Sequence, residues 1–177
     1  MELIERIKND LKENLTEYRY IHSLGVMEMA EELATIYNVD VESTRLAGLL
    51  HDIAKEMTEE ESLKYVAENS IAIEDIAKKK YGVNEQIQKA IQYHTETNPN
   101  MDTLAKIIYV SDKIEKNRKS EKFDLEYERN LAKEDIDAAV LFIIDASIKK
   151  VIKKGKLLHP TIVETRNKII MNKMQQN

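Results

Sequence analysis

Apolar residues recur three and four positions apart along this chain, the spacing of one face of a helix, and no stretch alternates apolar with polar for long enough to predict a strand. Leu3, Ile4, Ile7 and Leu11 predict an amphipathic helix over 2–14. Thr16 is placed to cap a second that runs to about Tyr37, with Tyr18, Ile21, Val26, Met29, Leu33 and Ile36 on its inner side. Asp40 caps a third, carrying Leu46, Leu49, Leu50, Ile53 and Ala54. Thr58 and Glu61 have the spacing of a capping box, in which each side chain meets a backbone N–H of the other, and they open a fourth. A short fifth near 73–81 stops at Gly82, and Asn84 caps a sixth that ends at His94. Asn98-Pro99-Asn100 breaks the chain before a helix over 101–116, with Leu104, Ile107, Ile108, Val110 and Ile114 inward. Residues 117–130 are polar and predict a loop, and the next helix runs from about 134 to 154 and stops at Gly155. Pro160, with a second capping-box spacing at Thr161 and Glu164, starts the last. The expected fold is all-α, a single-domain bundle of about eight or nine helices, which four glycines and two prolines leave with few breakers.

Composition narrows the function classes. At 177 residues the chain is most simply one domain, and 42% hydrophobic with 33% charged residues is the balance of a soluble globular protein. It has no cysteine, which excludes disulfides and zinc–thiolate sites and suits the cytoplasm. Met1-Glu2-Leu3-Ile4-Glu5-Arg6 lacks the apolar core of a secretory signal, and no apolar run approaches the ~20 residues that span a bilayer. A net charge of −5 argues against nucleic-acid partners, so any phosphate must be held by local cations and a metal.

The candidate chemistry lies where polar side chains interrupt apolar helix faces. His51 and Asp52 are adjacent inside Ala47-Gly48-Leu49-Leu50-His51-Asp52-Ile53-Ala54-Lys55. An imidazole and a carboxylate in apolar surroundings are costly unless something satisfies both, and a cation does so. His22 continues the inward line Tyr18, His22, Gly25, Met29, Leu33, and Gly25 leaves room for another helix or a ligand to approach closely. Asp112 continues the line Leu104, Ile108. Each has a plainer reading: a histidine on an apolar face is commonly a hydrogen-bonded core residue, and Asp112 could pair with Lys113 or Arg118. Taken together, two imidazoles and two carboxylates on three helices point to a metal site suited to iron, manganese, cobalt or zinc, without choosing among them.

These segments resemble the HD superfamily and, within it, the YqeK-type symmetrical bis(5'-nucleosyl)-tetraphosphatases, over roughly residues 15–170. The resemblance is carried by Tyr18-Arg19-Tyr20-Ile21-His22-Ser23-Leu24-Gly25-Val26, by Ala47 to Lys55, by Ala90-Ile91-Gln92-Tyr93-His94-Thr95, and by Met101 to Arg118. It implies that iron is held by His22, His51, Asp52 and Asp112. It implies also that a nucleotide lies against Arg19, Asp52 to Lys55, His94, Thr95, Asp112 and Arg118, with a C-terminal segment, here His159-Pro160-Thr161, closing the pocket. One departure stands out: Asn69 occupies the position where the family usually carries a further histidine. Asparagine can serve a phosphate or base but is a poor transition-metal ligand, so one ion is expected rather than two.

The roles follow the chemistry of phosphoanhydride cleavage. Asp52 is the candidate to take a proton from water, and Lys55 shares a face with His51 and Asp52 and can reach a phosphate, although a simple Asp52–Lys55 pair explains it equally. Arg19, one turn before His22, can present a guanidinium to phosphate, and Arg118 lies on a flexible arm beyond its helix. His94 and Thr95 end a helix, where His94 could protonate a leaving group or simply answer the helix dipole. Tyr93 or Tyr109 could stack on a base or merely pack in the core. The leading expectation is a cytoplasmic metal-dependent hydrolase that cleaves diadenosine tetraphosphate into two ADP and binds ADP or GDP as product, with a homodimer among the allowed assemblies. The alternatives are another HD nucleotide phosphohydrolase and a non-catalytic nucleotide-sensing module.

Overall fold

The computed structural model describes residues 2–69, 75–119 and 124–176, with the side chains of residues 66, 69 and 176 outside that description. Among the described residues there are ten helices and no strand: α1 Glu2–Asn14, α2 Glu17–Ile36, α3 Val41–Leu50, α4 Glu59–Asn69, α5 Ile76–Tyr81, α6 Glu85–Tyr93, α7 Thr103–Ile114, α8 Leu125–Glu134, α9 Ile136–Lys153 and α10 Pro160–Gln176. None of them is long and apolar enough to cross a membrane.

The caps form largely where the residue types place them. Asp40 accepts from the Ser43 amide at 2.7 Å and Asn84 from the Ile87 amide at 2.9 Å. Thr58 and Glu61 make the reciprocal box at 2.7 and 3.1 Å. Thr16 accepts from the Arg19 amide and is itself clasped by Glu56, which takes its N–H at 2.5 Å and its hydroxyl at 2.7 Å. The start of the helix carrying His22 is thereby tied to the turn that follows His51 and Asp52.

Four expectations need correction. Residues 117–130 are not simply a loop: Asp124 accepts from the amides of Glu126 and Tyr127 at 3.1 Å and opens α8, which raises the count to ten among the described residues. This helix is polar on most sides and escapes an apolar-period reading; its Arg129 donates to the Ile114 and Glu115 carbonyls at 2.8 and 2.9 Å, closing the end of α7. Helix α3 stops at Leu50 instead of continuing through Ala54, and residues 51–56 are turns, with Lys55 N–H donating to the Asp52 carbonyl at 2.9 Å. The His51 ring donates at 2.8 Å to the Gly48 carbonyl, the one a continuing helix would offer to the Asp52 amide. The inner face of α2 holds Val26, Met29 and Leu33 as expected, but Tyr18, Ile21 and Ile36 are exposed and Ser23, Ala30 and Ala34 are buried in their stead. Small residues there let α3 come close, and a Cβ on Gly48 would stand 2.9 Å from the Met27 Cα. Lastly, α10 begins at Pro160, so Thr161 lies inside the first turn rather than capping it.

The core runs between α2, α3, α6, α7 and α9, where Leu33, Leu49, Leu50, Leu104, Ile107, Ile108, Ile114 and Ile144 are fully enclosed. Helix α2 packs along α3 and against α7, and α7 in turn against α6 and α9. The polar side chains of interest enter this layer from several sides.

Candidate metal centre

His22 comes from the second turn of α2, His51 and Asp52 from the end of α3, His94 from the end of α6, and Asp112 from the last turn of α7. All five are buried, the most accessible being His94 at 8%. His22 Nε2 lies 3.2 Å from His51 Nε2 and 3.0 Å from Asp112 Oδ1, which is 3.7 Å from His51 Nε2. On the other side of His51, Asp52 Oδ2 lies 3.5 Å from its Nε2, and Asp52 Oδ1 3.4 Å from His94 Nε2. The four expected ligands are thus brought together as two overlapping triads, His22–His51–Asp112 and His51–Asp52–His94, each with its ligand atoms within 4.8 Å of one another.

The donor set fits a divalent cation. His51 and His94 each donate from Nδ1 to a backbone carbonyl, Gly48 at 2.8 Å and Ile91 at 2.5 Å, so the Nε2 of each is left with a lone pair turned inward. His22 turns its Nδ1 to Glu115 Oε1 at 3.3 Å and its Nε2 likewise inward. Lone pairs and carboxylate oxygens converging in a buried space repel unless a cation lies among them.

Electrostatics distinguish the imidazoles. Burial pushes His51 down to about 4, against the pull of Asp112 and Asp52, so it is neutral near pH 7. Burial acts the same way on His22, but its hydrogen bonds with Asp112 and Glu115 outweigh it and raise the pKa above the ordinary 6.5. Burial opposes charge on Asp52 and Asp112 as well. The neighbouring His94 and His51 for Asp52, and His22 and Lys113 for Asp112, hold both carboxyls well below the usual range.

Cations surround the centre. Arg19 Nη1 donates to Asp52 Oδ2 at 2.7 Å, and Lys55 Nζ stands 3.9 Å from Asp52 Oδ1. Arg118 donates to Asp112 twice, to Oδ1 and to the carbonyl, both at 2.9 Å, and Lys113 pairs with Asp112 Oδ2. Both plainer partners considered for Asp112 are therefore present together with the histidines. Thr95 Oγ1 lies 2.9 Å from His94 Nε2. Beside the centre, Thr95, Tyr109, Lys113, Leu158, His159 and Thr161 line a cavity of about 410 Å³. His159 and Thr161 are joined there at 2.7 Å, while Pro160 is exposed at the start of α10. Tyr109 is buried in this wall, whereas Tyr93 packs on the core. The Asn69 side chain lies outside the described residues.

One residue of the centre escaped the sequence reading. Glu115 is 2% exposed behind His22, and the close approach expected at Gly25 is its own: a Cβ there would lie 2.2 Å from Glu115 Oε2. Its three-residue offset from Asp112 and the gap at Gly25 were the available signals.

A helical bundle that gathers imidazoles and carboxylates from four helices around one buried point is a protein built for a metal ion. The chain belongs to the HD domain family, whose model matches residues 19–117. It is 30% identical to the symmetrical bis(5'-nucleosyl)-tetraphosphatase of Halalkalibacterium halodurans over 91% of this chain and 94% of that protein. The protein of the same name from Bacillus subtilis is 32% identical over 90% and 94%. A solved structure from Clostridium acetobutylicum, described as a predicted HD superfamily hydrolase involved in NAD metabolism, is 39% identical and superposes with a TM-score of 0.84, covering 95% of this chain and 97% of that one.

Proposed function

We propose that this protein is a metal-dependent phosphoanhydride hydrolase that cleaves diadenosine tetraphosphate symmetrically into two molecules of ADP. The observation that carries the reading is the pair of buried triads sharing His51, ringed by Arg19, Lys55, Lys113 and Arg118. The similarity to symmetrical tetraphosphatases over nine-tenths of the chain supports the substrate.

Water adds to one of the two central phosphorus atoms, the P–O bond of the central bridge breaks, and the bridging oxygen leaves with the other half as ADP. A divalent ion bound by His22, His51, Asp52 and Asp112 supplies Lewis-acid polarisation of the phosphoryl oxygens and of water. Arg19 and Lys55 face the oxygens on which charge develops, and their current partner, Asp52, marks where those oxygens come to lie. Asp52, with its carboxyl held low, stays charged and acts as a ligand better than as a proton carrier. His94 keeps its Nδ1 on the Ile91 carbonyl and turns the Nε2 lone pair, beside Thr95, toward the reacting phosphates, where it takes up a proton in the course of the reaction and passes it to the departing oxygen. The cavity walled by Tyr109, Lys113, His159 and Thr161 accommodates one nucleoside diphosphate, so ADP or GDP binds as product. We assign iron first, with manganese, cobalt or zinc as substitutes, one ion per chain, and the cytoplasm as the site of action.

The test is incubation of the purified protein, loaded with iron or manganese, with diadenosine tetraphosphate and chromatography of the products. ADP alone is the expected result. AMP together with ATP overturns the symmetric cleavage, and tight binding without cleavage overturns the hydrolase in favour of a sensing module.

A further inference from the structure

All three imidazoles of the centre have Nδ1 engaged, but not by the same kind of partner. His51 and His94 each end a helix, and each ring folds back onto the carbonyl three residues earlier. His22 lies within α2, where the backbone carbonyls serve the helix's own hydrogen bonds, so its ring needs an acceptor from elsewhere. The acceptor is Glu115, the capping residue of α7, 93 positions away in the chain.

We infer that Glu115 is a positioning residue for metal binding, holding His22 as the tautomer whose Nε2 is free to ligate. This rests on the metal-centre reading above and adds a residue that reading does not contain. The surroundings fix the carboxylate in place. Its Oε2 accepts from the Asn117 amide at 2.6 Å, and Arg129 holds the Glu115 carbonyl at 2.9 Å. On the opposite side α2 carries glycine where any Cβ would strike Oε2, so both helices are shaped around this one group. A carboxylate behind a ligating imidazole also strengthens the ligand, which a backbone carbonyl does less. His22 is thus backed by charge, while His51 and His94 are backed by neutral dipoles.

Glu115→Gln separates the parts of this arrangement, because His22 and the Asn117 amide bond to different oxygens of the carboxylate, Oε1 and Oε2, and glutamine replaces one of them with an NH2 donor. Titration of the metal-free protein with manganese should show affinity about 10- to 100-fold weaker than wild type. Asp112 lies 3.0 Å from Nε2 and competes for the same proton. Nitrogen NMR of the histidines at alkaline pH should therefore show a larger share of the Nδ1–H tautomer at His22 in the wild type than in the variant, a change that general loosening would not confine to one ring. Gly25→Ala displaces the carboxylate without altering its chemistry and should weaken manganese in the same direction, which keeps the test alive if Glu115→Gln folds poorly. Wild-type affinity with an unchanged His22 tautomer in either folded variant overturns the inference. Failure of the wild type itself to bind manganese would instead remove the metal centre on which it rests.

Discussion

The two triads share His51 yet stand in different surroundings. The His22–His51–Asp112 side is closed from behind: Glu115 backs His22, Arg118 and Lys113 hold Asp112, and α8 seals the end of α7 through Arg129. The His51–Asp52–His94 side faces outward, where Arg19 and Lys55 reach Asp52 with side chains 29% and 45% exposed. In the proposed reaction the first half keeps the ion and the second meets the anion. Burial of the five residues does not separate the halves, and neither do their cations, since Arg118 and Lys113 are 32% and 38% exposed. What differs is the buried Glu115 carboxylate behind His22, which has no counterpart behind His51 or His94.

The largest test breaks both halves at once. His51→Ala removes the residue common to the triads, and the purified variant should retain no metal by elemental analysis and hydrolyse diadenosine tetraphosphate only at background rate. Retention of the ion would mean that the halves do not meet at His51. Next, Arg19→Ala acts on the outward half alone: kcat/KM should fall about 100-fold while metal content stays at the wild-type level. Loss of the ion would show that the outward cations belong to metal retention after all.

The pH dependence of metal affinity separates the imidazoles without mutation. A proton on His22 occupies the lone pair that the ion needs, and its pKa lies above 6.5, so protons compete with metal already near neutrality. His51, held at about 4, is unprotonated through that range and contributes only in stronger acid. Manganese affinity should therefore fall about tenfold per unit as pH drops below the His22 pKa, the slope of one competing proton. A flat profile down to pH 5 would contradict the assignment of His22 as the more basic ligand.

The smallest effect is expected outside both halves. Tyr37 donates to the Ala132 carbonyl at 2.7 Å and ties the end of α2 to α8. Tyr37→Phe should lower stability by about 1 kcal/mol in denaturant unfolding, with hydrolysis unchanged. A loss of activity there would mean that α8 transmits to the centre rather than only sealing it.

Much of this was legible in the residues. Thr16, Asp40, Asn84 and the Thr58–Glu61 pair cap their helices as read, because a cap depends on a side chain and an amide only two or three positions apart. His22, His51, Asp52 and Asp112 stood out as polar intrusions on apolar faces, and burial bears out that contrast. Helix α8 was missed because its stability comes from the Asp124 cap and from contacts with α9 and α7 rather than from a broad apolar stripe. Glu115 was missed because, next to Lys116 and Asn117, it looks like an ordinary surface acid.

What the chain determined by itself is the set of helices, their caps and the polar residues set into their inner faces, since these follow from spacing over a dozen residues. Which atoms meet was decided only by tertiary structure. His22 and His51 are 29 positions apart and His22 and Glu115 are 93 apart. They come together because Gly48 lets α3 close onto the backbone of α2 at Met27, while Gly25 leaves room for the Glu115 side chain, a fit that depends on shape and that no local pattern encodes.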